Sequence, residues 1–404
     1  MAPRQQSWFL AAGCQVARQK AESVRSRMMQ DHHDEAYRGL EQGPIRPPSE
    51  ARSLLLRVTR NCPWNHCTFC PVYKGARFSI RSVAQVTRDI DAVYAAVQEL
   101  GAAGRLAVEP APGGDDRRAW VAARNWLRCG ARQVFLQDAN SLVVPPADLL
   151  AILRHLQARF PQVTRVTSYA RSNSLANLAA DDLAVFREAG LSRIHIGMES
   201  GADAVLRRVR KGTTQRMHIL AGVKVKEAGM ELSEYYMPGL GGQDLMEVHA
   251  VQTAAALNAI NPDFIRLRTL AIPPDAPLFG EWRAGRFTKP TDLMMASELL
   301  RFLESLAGIT SIIKSDHILN LLPEVDGRLP QDQERLIGIV RAFLDLDPEL
   351  QMLYRVGRRT GVLAGLADLE DPDKLAQAQE ICRRHRIGLD NVDTVTDDLM
   401  RRFI

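Results

Sequence analysis

The sequence predicts an α/β fold in which short strands alternate with helices. Six short apolar runs recur between Ser53 and Ile272, and each is followed by a stretch with helical spacing of its apolar residues. Glycines close several of the helical stretches, as at Gly190 and Gly229, where the chain turns back toward the next strand. The first run also leads straight into "RVTRNCPWNHCTFCPVYKG", Arg57 to Gly75, which holds three of the six cysteines of the chain.

The elements follow in order. "SLLLRVT" (Ser53–Thr59) reads as the first strand, and a helix pattern follows around Ser82–Leu100. "RQVFLQDA" (Arg132–Ala139) is the second strand, with Pro146–Phe160 as its helix. "TRVTSYA" (Thr164–Ala170) is the third, with "ADDLAVFREAG" as its helix. "SRIHIGMES" (Ser192–Ser200) is the fourth, followed by helices at Ala202–Val209 and Gln215–Glu227. "LSEYYMPGL" (Leu232–Leu240) is the fifth, with a helix over Leu245–Asn258, and "DFIRLRTLAI" (Asp263–Ile272) is the sixth. Ile309–Ile313 is suited to a short seventh strand. The expected organisation is a helical N-terminal extension over residues 1–50, a main α/β domain over 51–275, a closing segment over 276–330 and an amphipathic helical tail over 331–404. No internal repeat or low-complexity linker interrupts it.

Composition narrows the class. The chain has 404 residues, 46% apolar and 25% charged, with a net charge of +5, the profile of a globular protein with a sizeable core. No run of Lys and Arg indicates nucleic acid, and no apolar run of about 18 residues indicates a membrane span. "WFLAAGC", Trp8 to Cys14, has the look of a lipoprotein cleavage site, but its apolar core falls short of the roughly 7–15 residues a signal peptide needs. A buried Cys14 on an amphipathic helix is the expectation there. Six cysteines do not make a disulfide framework in a chain this long, so a cytoplasmic location, where free thiols survive, is expected.

Cys62, Cys67 and Cys70 admit three readings. They are buried core thiols, or zinc ligands with His66 as a fourth, or three thiolates of an iron–sulfur cluster. Zinc sites usually draw ligand pairs from separate turns, and adjacent residues such as His66 and Cys67 rarely reach one tetrahedral ion. A cubane with only three protein thiolates leaves one iron open to an outside ligand.

This C-x4-C-x2-C loop, with Phe69 before the last cysteine, resembles the cluster loop of radical S-adenosylmethionine (radical SAM) enzymes. It is similar to a variant found near the oxygen-independent coproporphyrinogen oxidases and the methylthiotransferases. The commoner family spacing is C-x3-C-x2-C, so the first gap here is one residue longer. The resemblance covers Ser53 to Ile272, and loosely to Leu322. It implies a partial (β/α)6 TIM-like barrel, with a short helical N-terminal and a helical C-terminal extension. It also implies a [4Fe–4S] cluster on Cys62, Cys67 and Cys70, S-adenosylmethionine (SAM) on the open iron, and an electron donor of flavodoxin or ferredoxin type. The implied reaction is reductive cleavage of SAM to a 5′-deoxyadenosyl radical that acts on a small-molecule substrate.

Barrel chemistry gathers at the C-terminal ends of the strands, and the resemblance assigns roles there. Phe69 would lie beside the adenine. Asp138, supported by Asn140, would hold the SAM amino group in place of the family's Gly-Gly-Glu element, although both residues also suit a helix cap. Ser168 and Arg171 follow the third strand. Glu199, in "GMESG", would accept from the ribose hydroxyls or the amino group. Lys211, ahead of Arg208 and Arg210, would meet the SAM carboxylate, and Gly239 in "MPGLGG" would border the adenine. Arg266 and Arg268 share one strand face, with Arg268 nearer the active end. Asp316 and His317, with Ser315 and Asn320, would contact substrate or pass a proton, or else begin a helix.

His195 and His249 read as packing or capping residues, and Cys129 and Cys382 stand alone, so no second cluster is expected. The short N-terminus leaves no room for a cobalamin domain, and the tail does not read as the RNA-binding barrel of methylthiotransferases. The alternatives kept open are a coproporphyrinogen oxidase-like or haem-handling protein and, from a different class, a zinc-stabilised TIM-like binding module. The substrate and the oligomeric state are not legible.

Overall fold

The computed structural model describes residues 37–102 and 117–401. Cys14 and most of the expected N-terminal helix lie outside the described residues. At the centre is one sheet with strand order β1-β4-β5-β6-β7-β8-β9-β10. Its members are β1 (Leu54–Arg57), β4 (Gln133–Gln137), β5 (Arg165–Ala170), β6 (Leu191–Glu199), β7 (Glu231–Tyr236), β8 (Phe264–Leu267), β9 (Ile312–Lys314) and β10 (Gly327–Arg328). All neighbours run parallel except the β9–β10 pair. The expected six strands are present, and β9 adds a seventh parallel strand beside the sixth.

The sheet is curled. On one face, side chains two strands apart meet: Phe135 with His195, Tyr169 with Tyr235, and Arg193 over the Phe264 ring at 4.8 Å. Alternate strands sit about 9–10 Å apart in a flat sheet, so these contacts mark a concave lining. The opposite face carries Leu136, Ile194, Leu232 and Ile265 into the main core, beneath the helices. β1 and β10 are the two ends of the strand order, so the barrel is open. Among the described residues no helix is long and apolar enough to cross a membrane.

Three features differ from the sequence reading. Residues 37–50 contain only a 3-10 turn, Pro48–Glu50, and are otherwise non-helical. Glu41 binds Arg57 and Arg60, Gly43 donates to Gln137 at 2.8 Å, and Glu50 is buried beside Ser53, Arg165 and His195, so this strap runs across β1 and β4. Glu41 and Glu50 find their partners in the barrel, and Pro44, Pro47 and Pro48 disfavour a continuous helix here. A helix at Arg117–Arg128 joins the expected one at Val83–Ala102 between β1 and β4. Ser315 to Asn320 forms turns rather than a helix.

The tail is helical as read: Gln333–Leu344, Pro348–Thr360, Pro372–His385 and Val392–Met400. Buried Asp292, on the helix Asp292–Ser305, pairs with Arg359 at 2.9 Å and Arg355 at 3.2 Å, which pins the tail to the barrel.

Candidate functional site

The cysteine loop is the excursion of a small antiparallel ribbon, β2 (Thr59–Arg60) paired with β3 (Ser79–Ile80). Asn61 and Asn65 take left-handed backbone, φ 68° and 47°, a conformation asparagine tolerates better than most residues. Bonds to distant elements then fix the loop. Trp64 Nε1 donates to the Arg210 carbonyl at 2.8 Å, Thr68 N–H to Val209 at 2.9 Å, and Leu278 N–H to the Thr68 carbonyl at 2.8 Å. Gly212 has φ +69°, and a Cβ there would stand 2.2 Å from the Trp64 ring, so both its backbone and its lack of a side chain are required.

Cys67 is buried, whereas Cys62 and Cys70 are half-buried. Burial pushes the Cys70 thiol up, and Lys211 and Arg268 act against that shift, so two cations lie near this sulfur. His66 is exposed and packs on the edge of Trp64. Among the described residues no three His, Cys, Asp or Glu side chains converge as one metal ion requires. Three thiols spread over one loop suit a polynuclear cluster, in which each iron takes one thiolate.

Glu199 ends β6 at φ +64°, after a register shift between Ile196 and Glu199. Its Oε1 lies 3.4 Å from Lys211 Nζ, while Oε2 is buried without a partner. Lys211 Nζ in turn sits 5.5 Å from the centre of the Phe69 ring. A Cβ on Gly197 would fall 2.4 Å from Glu199 Oε1, so glycine makes room for this carboxylate. A cation, a carboxylate with one open oxygen and an aromatic face thus adjoin the cysteine loop. A cavity of about 50 Å³ beside Cys70 is lined by Phe69, Met237, Arg268 and Leu319.

The other expected residues divide. Arg268 is exposed at this cavity and has no side-chain partner among the described residues. His317 is lowered to about 4 by burial and by Arg268, and its Nδ1 accepts from Leu319 N–H at 3.2 Å. Asp316 is committed to Arg266 at 2.5 Å. Gly239 has φ +89°, with Met295 against the position a Cβ would take.

Three expectations are corrected. Asp138 is fully buried and spent on structure: Arg57 at 2.6 Å, Asn61 N–H at 3.0 Å and Tyr73 OH at 2.6 Å saturate it, so it anchors the cysteine loop rather than a ligand. Asn140 accepts from Arg171 N–H at 3.2 Å and donates to Ser174 at 2.8 Å, which makes it a turn-former. Ser168 lies in register with Leu136 and Ile194, on the helix-covered face, because strand side chains alternate and its neighbours Thr167 and Tyr169 take the other face. Arg171 donates to the Lys211 carbonyl at 2.8 Å and lies over Trp64, and Arg208 pairs with Asp244 at 2.6 Å.

Sequence reasoning missed Glu234 and Glu298. Glu234 is buried with both oxygens unpartnered, and burial, with Glu199 adding, pushes its carboxyl well up. An acid inside the apolar run "LSEYYM" was the available signal. Glu298 sits on an amphipathic helix, where nothing local marks it.

No family model and no curated protein matches the chain. Among solved structures, the chain is similar to the radical SAM methyltransferase TsrM from Kitasatospora setae (14% identity, TM-score 0.43), covering 84% of this chain and 64% of that one. It is also similar to the cobalamin-dependent SAM radical enzyme OxsB (15% identity, TM-score 0.43, 88% of this chain and 55% of that one). A further similarity is to the radical SAM coproporphyrinogen III oxidase HemN from Escherichia coli (15% identity, TM-score 0.41, 62% of this chain and 52% of that one). The chain spans between about half and two thirds of the length of these three. The molecule is an α/β protein with a mostly parallel, curled sheet, and these three solved structures are described as radical SAM enzymes.

Proposed function

We propose that this chain is a radical SAM enzyme. The observation that supports this most is the three-thiol loop facing the Lys211–Glu199 pair across Phe69. Cys62, Cys67 and Cys70 would hold a [4Fe–4S] cluster with SAM on its open iron, and the bound pair would supply an electron and a 5′-deoxyadenosyl radical. Glu199, with one buried oxygen unpartnered, suits an ammonium or ribose donor. Lys211 suits a carboxylate, and Phe69 offers a flat apolar face. Arg268 lines the cavity beside Cys70, and His317, near enough to feel its charge, would meet a small-molecule substrate with it. His317 is neutral near pH 7, since its pKa is lowered to about 4, and with Nδ1 accepting from Leu319 N–H its Nε2 carries the hydrogen and can donate it in a hydrogen bond to substrate. A flavodoxin- or ferredoxin-type donor would reduce the cluster.

Anaerobic reconstitution tests this. Expected are close to four irons and four sulfides per chain, an electron paramagnetic resonance signal that SAM alters, and 5′-deoxyadenosine after dithionite reduction in wild type but not in Cys67→Ala. Stoichiometric zinc without iron would overturn the proposal.

A further inference from the structure

Four buried groups from separate elements meet behind the candidate site. Glu298, on the helix Asp292–Ser305, accepts from Tyr236 OH at 2.7 Å and from Gly239 N–H at 3.1 Å, and His249 Nδ1 lies 2.8 Å from its Oε1 without the alignment of a hydrogen bond. His249, on the helix Met246–Ile260, reaches the Glu199 carbonyl with Nε2 at 3.2 Å. A carbonyl only accepts, so Nε2 carries the hydrogen. That same carbonyl also accepts from Met237 N–H at 3.1 Å. One histidine bonded to the end of β6 is thus packed against one acid bonded to the loop after β7.

The location is what makes this more than packing. Glu199 is not glycine, yet it holds φ +64°, a left-handed conformation that costs about 1–2 kcal/mol and persists only when its surroundings enforce it. The carbonyl that His249 grips belongs to this residue, and turning it would swing the Glu199 carboxylate away from Lys211. Gly241 meets the His249 Cβ at 3.1 Å from where its own Cβ would stand, so the loop seats closely on this helix. Burying an acid and a histidine in an apolar layer is unfavourable unless each is bonded. Here their bonds end on the backbone of two site loops.

We infer that His249 and Glu298 are positioning residues that hold Glu199 in its ligand-binding conformation. This rests on the reading of Glu199 as a SAM contact. His249 touches no reacting atom and acts through the Glu199 carbonyl.

The test is SAM affinity of the cluster-loaded protein, measured by equilibrium binding together with iron content. Glu199→Ala sets the scale. His249→Leu should weaken SAM binding about tenfold or more while keeping its iron. His249→Gln, whose amide nitrogen reaches the Nε2 position, should bind SAM nearly as wild type does. His249→Asn, which reaches only toward Glu298, should behave like His249→Leu, and this pair decides the matter if His249→Leu fails to fold. Adding His249→Leu to Glu199→Ala should produce little further loss, because one effect passes through the other. Wild-type affinity in His249→Leu, equal affinities in His249→Gln and His249→Asn, or additive losses in the double variant would each overturn the inference. If Glu199→Ala itself leaves SAM affinity unchanged, the proposed cofactor contact fails instead, and the two failures are distinct.

Discussion

Asp138→Ala separates a structural anchor from a ligand contact. In the fold the Asp138 carboxylate is buried and takes the Arg57 guanidinium through Nε and Nη2, the Asn61 N–H and the Tyr73 hydroxyl. Burial and Asp138 both push the Tyr73 phenol upward, so it remains a proton donor at any working pH. Removing one partner of a buried pair commonly costs about 3–5 kcal/mol, because the other charge is left uncompensated. Arg57 keeps Glu41 at 2.8 Å, which places the pair's share at the lower end, about 3 kcal/mol. The stranded Tyr73 hydroxyl adds about 1–3 kcal/mol. A loss of roughly 3–5 kcal/mol is therefore expected, since the two effects share one carboxylate and do not add fully. Urea unfolding of wild type and Asp138→Ala measures it, and iron retention after reconstitution should fall in parallel because Asn61 and Tyr73 brace both ends of the cysteine loop. A variant within about 0.5 kcal/mol of wild type, with full iron content and weakened SAM binding, would refute this reasoning and restore Asp138 as a ligand contact.

Gly212→Ala should lower iron retention and destabilise the chain by about 1–2 kcal/mol from the left-handed backbone alone, with more from displacing the Trp64 ring; thermal unfolding and an iron assay check both. His218 predicts a pH dependence. It is buried, its Nδ1 bonded to Ser172 at 2.6 Å, and burial with Lys211 and Arg171 lowers it to about 3. A folded value below the unfolded one of about 6.5 means its stabilising contribution is present above that pH. The contribution is lost as pH falls from there toward 3, by up to about 1.4 kcal/mol per unit. His218→Gln should show a shallower acid slope than wild type in urea unfolding between pH 4.5 and 6.5, and equal slopes would remove His218 as the cause.

Much of the framework is legible because its causes are local. Each parallel strand is a short apolar run, and its helix is an apolar stripe at helical spacing. The cysteine loop announces itself because three thiols in a polar loop have little use as core. Glu199 and Lys211 stand out in the sequence because a strand end and a helix end each put one charged residue at a barrel rim. Asp138 and Asn140 were misread for the same reason in reverse. They look like ligands at a strand end, but whether a carboxylate is free depends on Arg57 and Tyr73, 81 and 65 residues away in sequence. The Ser168 reading failed on a single step of strand alternation, which sequence position along the rim does not resolve.

The sequence by itself determined the α/β class, the seven parallel strands, the helical tail and the cysteine loop, since these follow from periodicity and residue type within a few neighbours. Only the tertiary structure decided which charges are spent and which are open. Asp138, Asp316 and Asn140 are consumed by partners from other strands and loops, while Arg268 and one oxygen of Glu199 are not. It also gave Glu298 and His249 their place behind Glu199, because the helices that carry them become neighbours of the β6 end only when the sheet curls. Satisfaction of a buried polar group is a property of everything around it, and that is fixed by folding rather than by spacing along the chain.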